Sequence, residues 1–278
     1  MGGAKGVQDQ TGEQELLPQA ERRIEDVSGH WLLARLGKRV LRPGGAGMTT
    51  DLLRDAALAD ADVVELAPGL GRTAAEILAA NPRSYVGVEQ DPAAAQRVTA
   101  VVAGRGECRV ADAAHSGLPG ASADVVVGEA MLTMQTDRGK AAIIAEATRL
   151  LRPGGRYAIH ELGLQPDELD PEVATDIRKS LARSIKVNAR PLTVAEWRTL
   201  LTDAGLLVDE VRTAPMHLLR LRRNIEDEGL GGVARIGWNL ARQPAAWRRV
   251  LDMRKTFQRH RDSLIAVSLV AHRPNDEA

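Results

Sequence analysis

The sequence has little of several things that would declare a function outright. It holds a single cysteine, Cys108, in 278 residues, which excludes an intrachain disulfide or a multi-cysteine metal site and fits a reducing compartment. Four Trp, two Tyr and one Phe give little means of stacking flipped bases. There is no excess of charge either, 37 basic residues against 37 acidic, so nothing global attracts a polyanion and no nucleic-acid partner is expected. Long apolar runs are missing: the terminal stretch Leu264 to Ala271 has the length of a strand and is far too short for a bilayer span. The N-terminus lacks the apolar core of a secretory signal, and Gly6 stands where a myristoylation site needs a hydroxyl residue. No His and carboxylate cluster has ligand spacing, so no metal is expected. A soluble cytoplasmic protein is the simplest expectation.

What is present begins with Val63-Val64-Glu65-Leu66-Ala67-Pro68-Gly69-Leu70-Gly71-Arg72-Thr73, a buried strand leading through a glycine turn into a helix. Gly69 and Gly71 remove the Cβ atoms that would block close backbone approach, and the first amides of the helix then face a ligand. The pattern Gly69-Leu70-Gly71-Arg72-Thr73-Ala74 also reads as the dinucleotide fingerprint, with acidic Glu89 about twenty residues on, so a nicotinamide cofactor remains open on this motif alone.

Around the turn the chain alternates. Helix Thr73 to Ala80, strand Ser84 to Val88, helix Pro92 to Ala103, strands Glu107 to Val110 and Ala123 to Val127, helix Arg138 to Leu151 and strand Arg156 to Leu162 form repeating βα units, hence a parallel sheet. Thr193-Val194-Ala195-Glu196 is a capping box opening a helix that ends at Gly205, and Leu206 to Ala214 and Ser263 to His272 supply two last strands. Before the glycine turn, apolar positions from Leu16 to Val40 suggest helices broken near Gly29 and Gly37. Arg42-Pro43-Gly44-Gly45 reads as a turn, Thr49 or Thr50 as the cap of a helix through Leu58, and Asp62 to Leu66 as the first strand.

In their order, Glu65 before the glycine turn, Gly87-Val88-Glu89-Gln90-Asp91-Pro92, Val110-Ala111-Asp112-Ala113, and Leu150-Leu151-Arg152-Pro153-Gly154-Gly155-Arg156 resemble class I S-adenosylmethionine-dependent methyltransferases from about Asp60 to Leu162. The departure is Ala67, where many members carry a glycine. The resemblance implies an α/β fold, a Rossmann-like three-layer sandwich with a seven-stranded, mostly parallel sheet and added helices forming a lid. Residues 1–12 are then a disordered tail, 13–60 an N-terminal helical cover, and 61–278 the methyltransferase domain, with helical insertions near 167–191 and 217–261. It implies S-adenosyl-L-methionine as cofactor. Glu65, Ala67, Gly69 and Gly71 would serve its methionine part, Glu89 with Gln90 the ribose, and Asp112 with Ala113 the adenine, while Glu129 closes the fourth strand at the same edge.

Methyl transfer needs the acceptor held in line more than it needs a strong catalytic group. Where the acceptor is a hydroxyl, His160 at the exit of the fifth strand is the expected base, with Glu161 orienting it or binding substrate. Adjacent strand residues point to opposite faces, so only one of the pair is expected to face the acceptor. After the fourth strand, Gly128-Glu129-Ala130-Met131 lacks the signature of nucleobase amine methyltransferases. The expected acceptor is a small molecule, methylated at oxygen or carbon. The insertion from His217 to Arg261 carries eleven Lys or Arg against four acidic residues, with Trp238, Trp247, Met253 and Phe257 among them, which suits an anionic or amphipathic acceptor or a membrane surface. Two readings stand beside methyl transfer: an NAD(P)-dependent oxidoreductase, and an S-adenosylmethionine-binding module without catalysis.

Overall fold

The computed structural model describes residues 21–38, 42–216 and 221–276, and of 221–228 and 230 the backbone alone. The expected tail at residues 1–12 lies outside them. Continuous apolar runs such as Val63-Val64 and Val125-Val126-Val127 can be buried on both faces, which only the inner strands of a covered parallel sheet allow. They lie in strands β1 (Asp62–Leu66) and β4 (Ala123–Glu129), and the parallel set is completed by β2 (Ser84–Glu89), the largely exposed edge strand β3 (Glu107–Val110) and β5 (Leu151–Leu164). After β5 come β6 (Leu192–Thr193), β7 (Leu207–Pro215) and β8 (Leu264–His272). The sheet runs β3-β2-β1-β4-β5-β8-β7, with β6 beside the end of β5. Strands β1 to β5 pair in parallel, whereas β8 runs antiparallel to both β5 and β7.

The main path has the seven strands expected. The eighth, two-residue strand arises because β5 runs on to Leu164, so that Gly163 and Leu164 find partners in Leu192 and Thr193. Thr193 also caps the next helix, accepting from the Glu196 amide at 3.2 Å while Glu196 accepts from the Thr193 amide at 2.7 Å.

Helices cover both faces. On one lie α2 (Gly45–Ala56), α3 (Arg72–Ala79) and α4 (Pro92–Val102), packing Leu52, Ile77 and Val98 against Val63 and Val125. On the other lie α5 (Asp137–Leu150) and α7 (Val194–Asp203), packing Ile143, Ile144 and Trp197 against Val64 and Val126. A short N-terminal helix, α1 (Gly29–Arg35), joins α6 (Pro171–Ile185), α8 (Leu221–Ala241, kinked at Gly229) and α9 (Pro244–Arg259) in a separate cluster, where Leu32 and Leu36 meet Leu240, Ala246 and Met253.

One start site differs from expectation. Helix α2 opens at Gly45 with Gly44 as its cap at φ +66°, not at Thr49 or Thr50. Gly44 takes the left-handed conformation that a residue with a Cβ resists, so the turn and the helix start coincide and Thr49 is left inside the helix, fully buried.

Candidate active site

Toward the carboxyl edge of the sheet, β1, β4 and β5 each carry a polar residue facing the α2–α3 side, Glu65 next to the end of β1, Glu129 at the end of β4 and His160 within β5. Alternation along the strands dictates this. Val63, Val125 and Ala158 pack toward those helices, so Glu65, Glu129 and His160, two or four positions on, share that side. Glu129 lies in register with His160.

The buried Glu129 carboxylate is saturated with donors. Thr49 Oγ1 donates to its Oε1 at 2.6 Å, and Arg42 Nη1 and Thr73 Oγ1 both donate to its Oε2 at 2.5 Å. His160 Nδ1 stands 2.8 Å from Oε1; facing an ionised carboxylate, that nitrogen must carry the hydrogen. Burial pushes the Glu129 carboxyl up, but Arg42, His160 and Thr49 outweigh it and hold the group well below the usual carboxylate range. Arg42, itself buried, also reaches Glu76 at 3.0 Å. Burial opposes its charge, and Glu129 and Glu76 more than restore it. Glu65 differs: among the described residues, the Tyr85 hydroxyl alone donates to it, at 2.7 Å. Burial drives its carboxyl up to about 8, with Tyr85 and Arg42 opposing and the charge of Glu129 adding.

A pocket of about 480 Å³ opens over this edge. Ala67, Gly69, Glu65, Glu89, Gln90, Asp112, Ala113 and Glu129 all line it, so eight of the nine residues expected to hold a cofactor come together. The ninth, Gly71, does not: at φ +74° it caps α3, and a Cβ there would come within 3.1 Å of Val101. Gly69, at φ +57°, leaves its Cβ direction open, with only the Ala67 carbonyl at 3.9 Å. Glu89 is pinned at both oxygens, accepting from the Gly69 amide and from the Asp91 amide at 3.0 Å each, and its remaining lone pairs are left to a ligand.

The two residues expected to be catalytic are placed elsewhere. His160 and Glu161 are both 0% exposed and neither lines the pocket. Glu161 points to the opposite face, where it accepts from the amides of Met131 (3.0 Å), Leu132 (2.7 Å) and Thr133 (3.0 Å) and from the Thr133 hydroxyl (2.6 Å), fixing the turn after β4. The reason is strand length: β5 continues to Leu164 and β8 pairs with it from Arg156 to Leu164, so His160 lies within the sheet rather than at its exit.

The imidazole that does line the pocket is His30, beside Trp31 on α1. Burial lowers its pKa to about 4, so it is neutral at physiological pH. Nothing in the spacing of the sequence singles out Arg42, His30 or Trp31. Arg42 reads as part of a turn and Trp31 as an apolar helix position.

The strand order and the glycine turn after β1 define a Rossmann-like α/β fold with a crevice of about 480 Å³ at its carboxyl edge. Residues 64–159 match the family described as Methyltransferase domain. An uncharacterized protein of Haemophilus influenzae is 31% identical over 218 residues, covering 76% of this chain and 85% of that protein. Among solved structures, phosphoethanolamine N-methyltransferase 2 of Haemonchus contortus, in complex with S-adenosyl-L-methionine, superposes with a TM-score of 0.66 at 16% identity over 94% of this chain and 60% of that one. The cyclase SpnF superposes at 0.62 with 14% identity over 82% and 81%. The chain belongs to the class I S-adenosylmethionine-dependent methyltransferases, and it is an enzyme of that class. The pocket suits their cofactor: it has the volume of a small-molecule site, an open glycine cradle, and a half-satisfied carboxylate at Glu89.

Proposed function

We propose that the enzyme methylates a small molecule with an apolar body at oxygen or carbon, and that His30 receives the acceptor's proton. The observation that carries this reading is that His30, the one imidazole among the described lining residues, shares the pocket with the apolar side chains of Trp31, Leu70 and Met134. Glu89 with Gln90 would hold the ribose hydroxyls, Asp112 and Ala113 the adenine edge between Val88, Met131 and Ile143, and Glu65, Ala67 and Gly69 the amino-acid end. These assignments rest on the donor chemistry and on the family motif. The cofactor supplies an electrophilic methyl group on a sulfonium, which leaves as a neutral thioether.

The protein's own part is positioning and proton removal. A hydroxyl must lose its proton as the carbon–oxygen bond forms, and the neutral imidazole of His30 in the pocket lining is the group placed to take it. Arg42 and Glu129 line the pocket and His160 backs them, and this saturated network keeps Thr73 and the start of α3 in place.

To test this, the enzyme is incubated with methyl-labelled S-adenosylmethionine and a fractionated small-molecule extract, and the labelled product is identified by mass spectrometry. His30→Ala is expected to lower turnover roughly 100-fold with cofactor affinity nearly intact. Label arriving on an amine nitrogen, or full turnover in His30→Ala, would overturn the reading.

A further inference from the structure

The outer face of α8 and α9 has no part in the cofactor pocket, and it is unlike the rest of the surface. Trp238, Trp247 and Leu251 are 61%, 49% and 37% exposed. On α9 the buried side is Ala246 and Met253, so Trp247 and Leu251, four residues apart, form a stripe on the outer side. Arg248, Arg254, Lys255 and Arg259 are exposed around that stripe, and Asp252 is the single acidic side chain of the helix. On α8, Ala234, Gly237, Trp238 and Ala241 make an exposed, uncharged ridge, and the Arg242 guanidinium lies over the Trp238 ring at 4.5 Å. Among the described residues, Arg242, Arg248, Arg254, Lys255 and Arg259 meet no carboxylate within 4.0 Å.

We infer that this face docks the enzyme on an anionic lipid bilayer. Tryptophan has an apolar body and a polar edge and settles at the headgroup level, while basic residues flanking an apolar stripe are drawn to anionic headgroups. Charge argues against a second copy as the occupant, since a two-fold contact would set this cationic patch against itself.

The same hairpin clamps α1. Arg249 donates to the Val27 carbonyl at 2.6 Å, Asn239 to the Leu36 carbonyl at 3.1 Å and Arg235 to the Gly37 carbonyl at 3.0 Å. Helix α1 carries His30 and Trp31, so the docking face and the acceptor end of the pocket belong to one packed unit. An acceptor with an apolar body would be drawn from the lipid phase. That consequence rests on the acceptor reading above, whereas the docking does not.

The test uses the full chain with vesicles of phosphatidylcholine alone and of phosphatidylcholine with about one lipid in three phosphatidylglycerol, read by co-sedimentation. S-adenosylhomocysteine binding is measured in parallel by calorimetry. The protein should sediment with the anionic vesicles only. Trp238→Ser with Trp247→Ser, and separately Arg248→Glu with Lys255→Glu, should each weaken sedimentation by at least about tenfold and leave S-adenosylhomocysteine binding unchanged, since neither pair lines the pocket. No binding to anionic vesicles, binding that both pairs leave intact, or equally tight binding of a short duplex DNA lost in the Arg248→Glu, Lys255→Glu variant would overturn the inference. Loss of S-adenosylhomocysteine binding by the parent protein would instead strike the cofactor assignment and leave the docking result standing.

Discussion

Glu65 is a carboxyl group in a buried place with a single hydroxyl donor among the described residues, and its proton affinity follows from that. Its pKa rises from 4.5 to about 8 on folding, burial being the main cause. The folded state therefore holds this proton more tightly than the unfolded chain. The resulting stabilisation is complete below pH 4.5 and is lost as pH rises toward about 8. Glu65→Gln removes the titration while keeping the hydrogen-bonding shape, so the cofactor-free variant should lose this share of the decline between those values. Urea unfolding at a series of pH values checks it, and an unchanged slope counts against the burial argument. The acidic residues at the crevice are legible in sequence because strand ends of a parallel sheet face it. His160 and Glu161 mislead for the same reason: they also look like strand-end residues. What places them inside is the pairing of β5 with β8, a contact between segments about a hundred residues apart that no local pattern reveals.

Among the elements, the turn after β4 owes its shape to one side chain. Glu161 gathers three amides and a hydroxyl around Met131 to Thr133, and Met131 and Met134 line the pocket. Glu161→Ala leaves those donors unpaired in the interior, at a cost of about 3 kcal/mol or more in unfolding free energy. Glu161→Gln should restore part of it, since one amide oxygen still accepts. Denaturant titration of the two variants reads this directly, and an Ala variant as stable as the parent would contradict it. The helices and strands of the core are legible because period and caps agree, as at Thr193 and at Asp91, which accepts from the Ala93 and Ala94 amides before Pro92. The start of α2 is not, because a glycine pair reads as a turn whether or not a helix begins there. The role of α1 is hidden too, since its packing against α8 and α9 joins opposite ends of the chain.

For the whole molecule, the family fixes the class of chemistry, while the acceptor we propose rests on the pocket's remaining wall. The cyclase SpnF shares the fold at 14% identity, so architecture alone does not decide the reaction, and the binding residues must carry the claim. No helix among the described residues is long and apolar enough to cross a membrane, and none of their His, Cys, Asp and Glu side chains group in a way that could hold a metal ion. Most of the fold is written in local patterns. The buried Arg42–Glu129–His160 network is not, because its members lie 87 and 31 residues apart and meet only once the sheet and α2 have docked. The central claim is that Glu89 anchors the cofactor. It is tested most directly by calorimetric titration of S-adenosylmethionine, and of NAD, into the parent protein and into Glu89→Ala. The account predicts that the parent binds S-adenosylmethionine and not NAD, and that the substitution weakens binding by roughly 2 to 3 kcal/mol in a folded protein. Unchanged affinity in folded Glu89→Ala, or tighter binding of NAD than of S-adenosylmethionine by the parent, would contradict it.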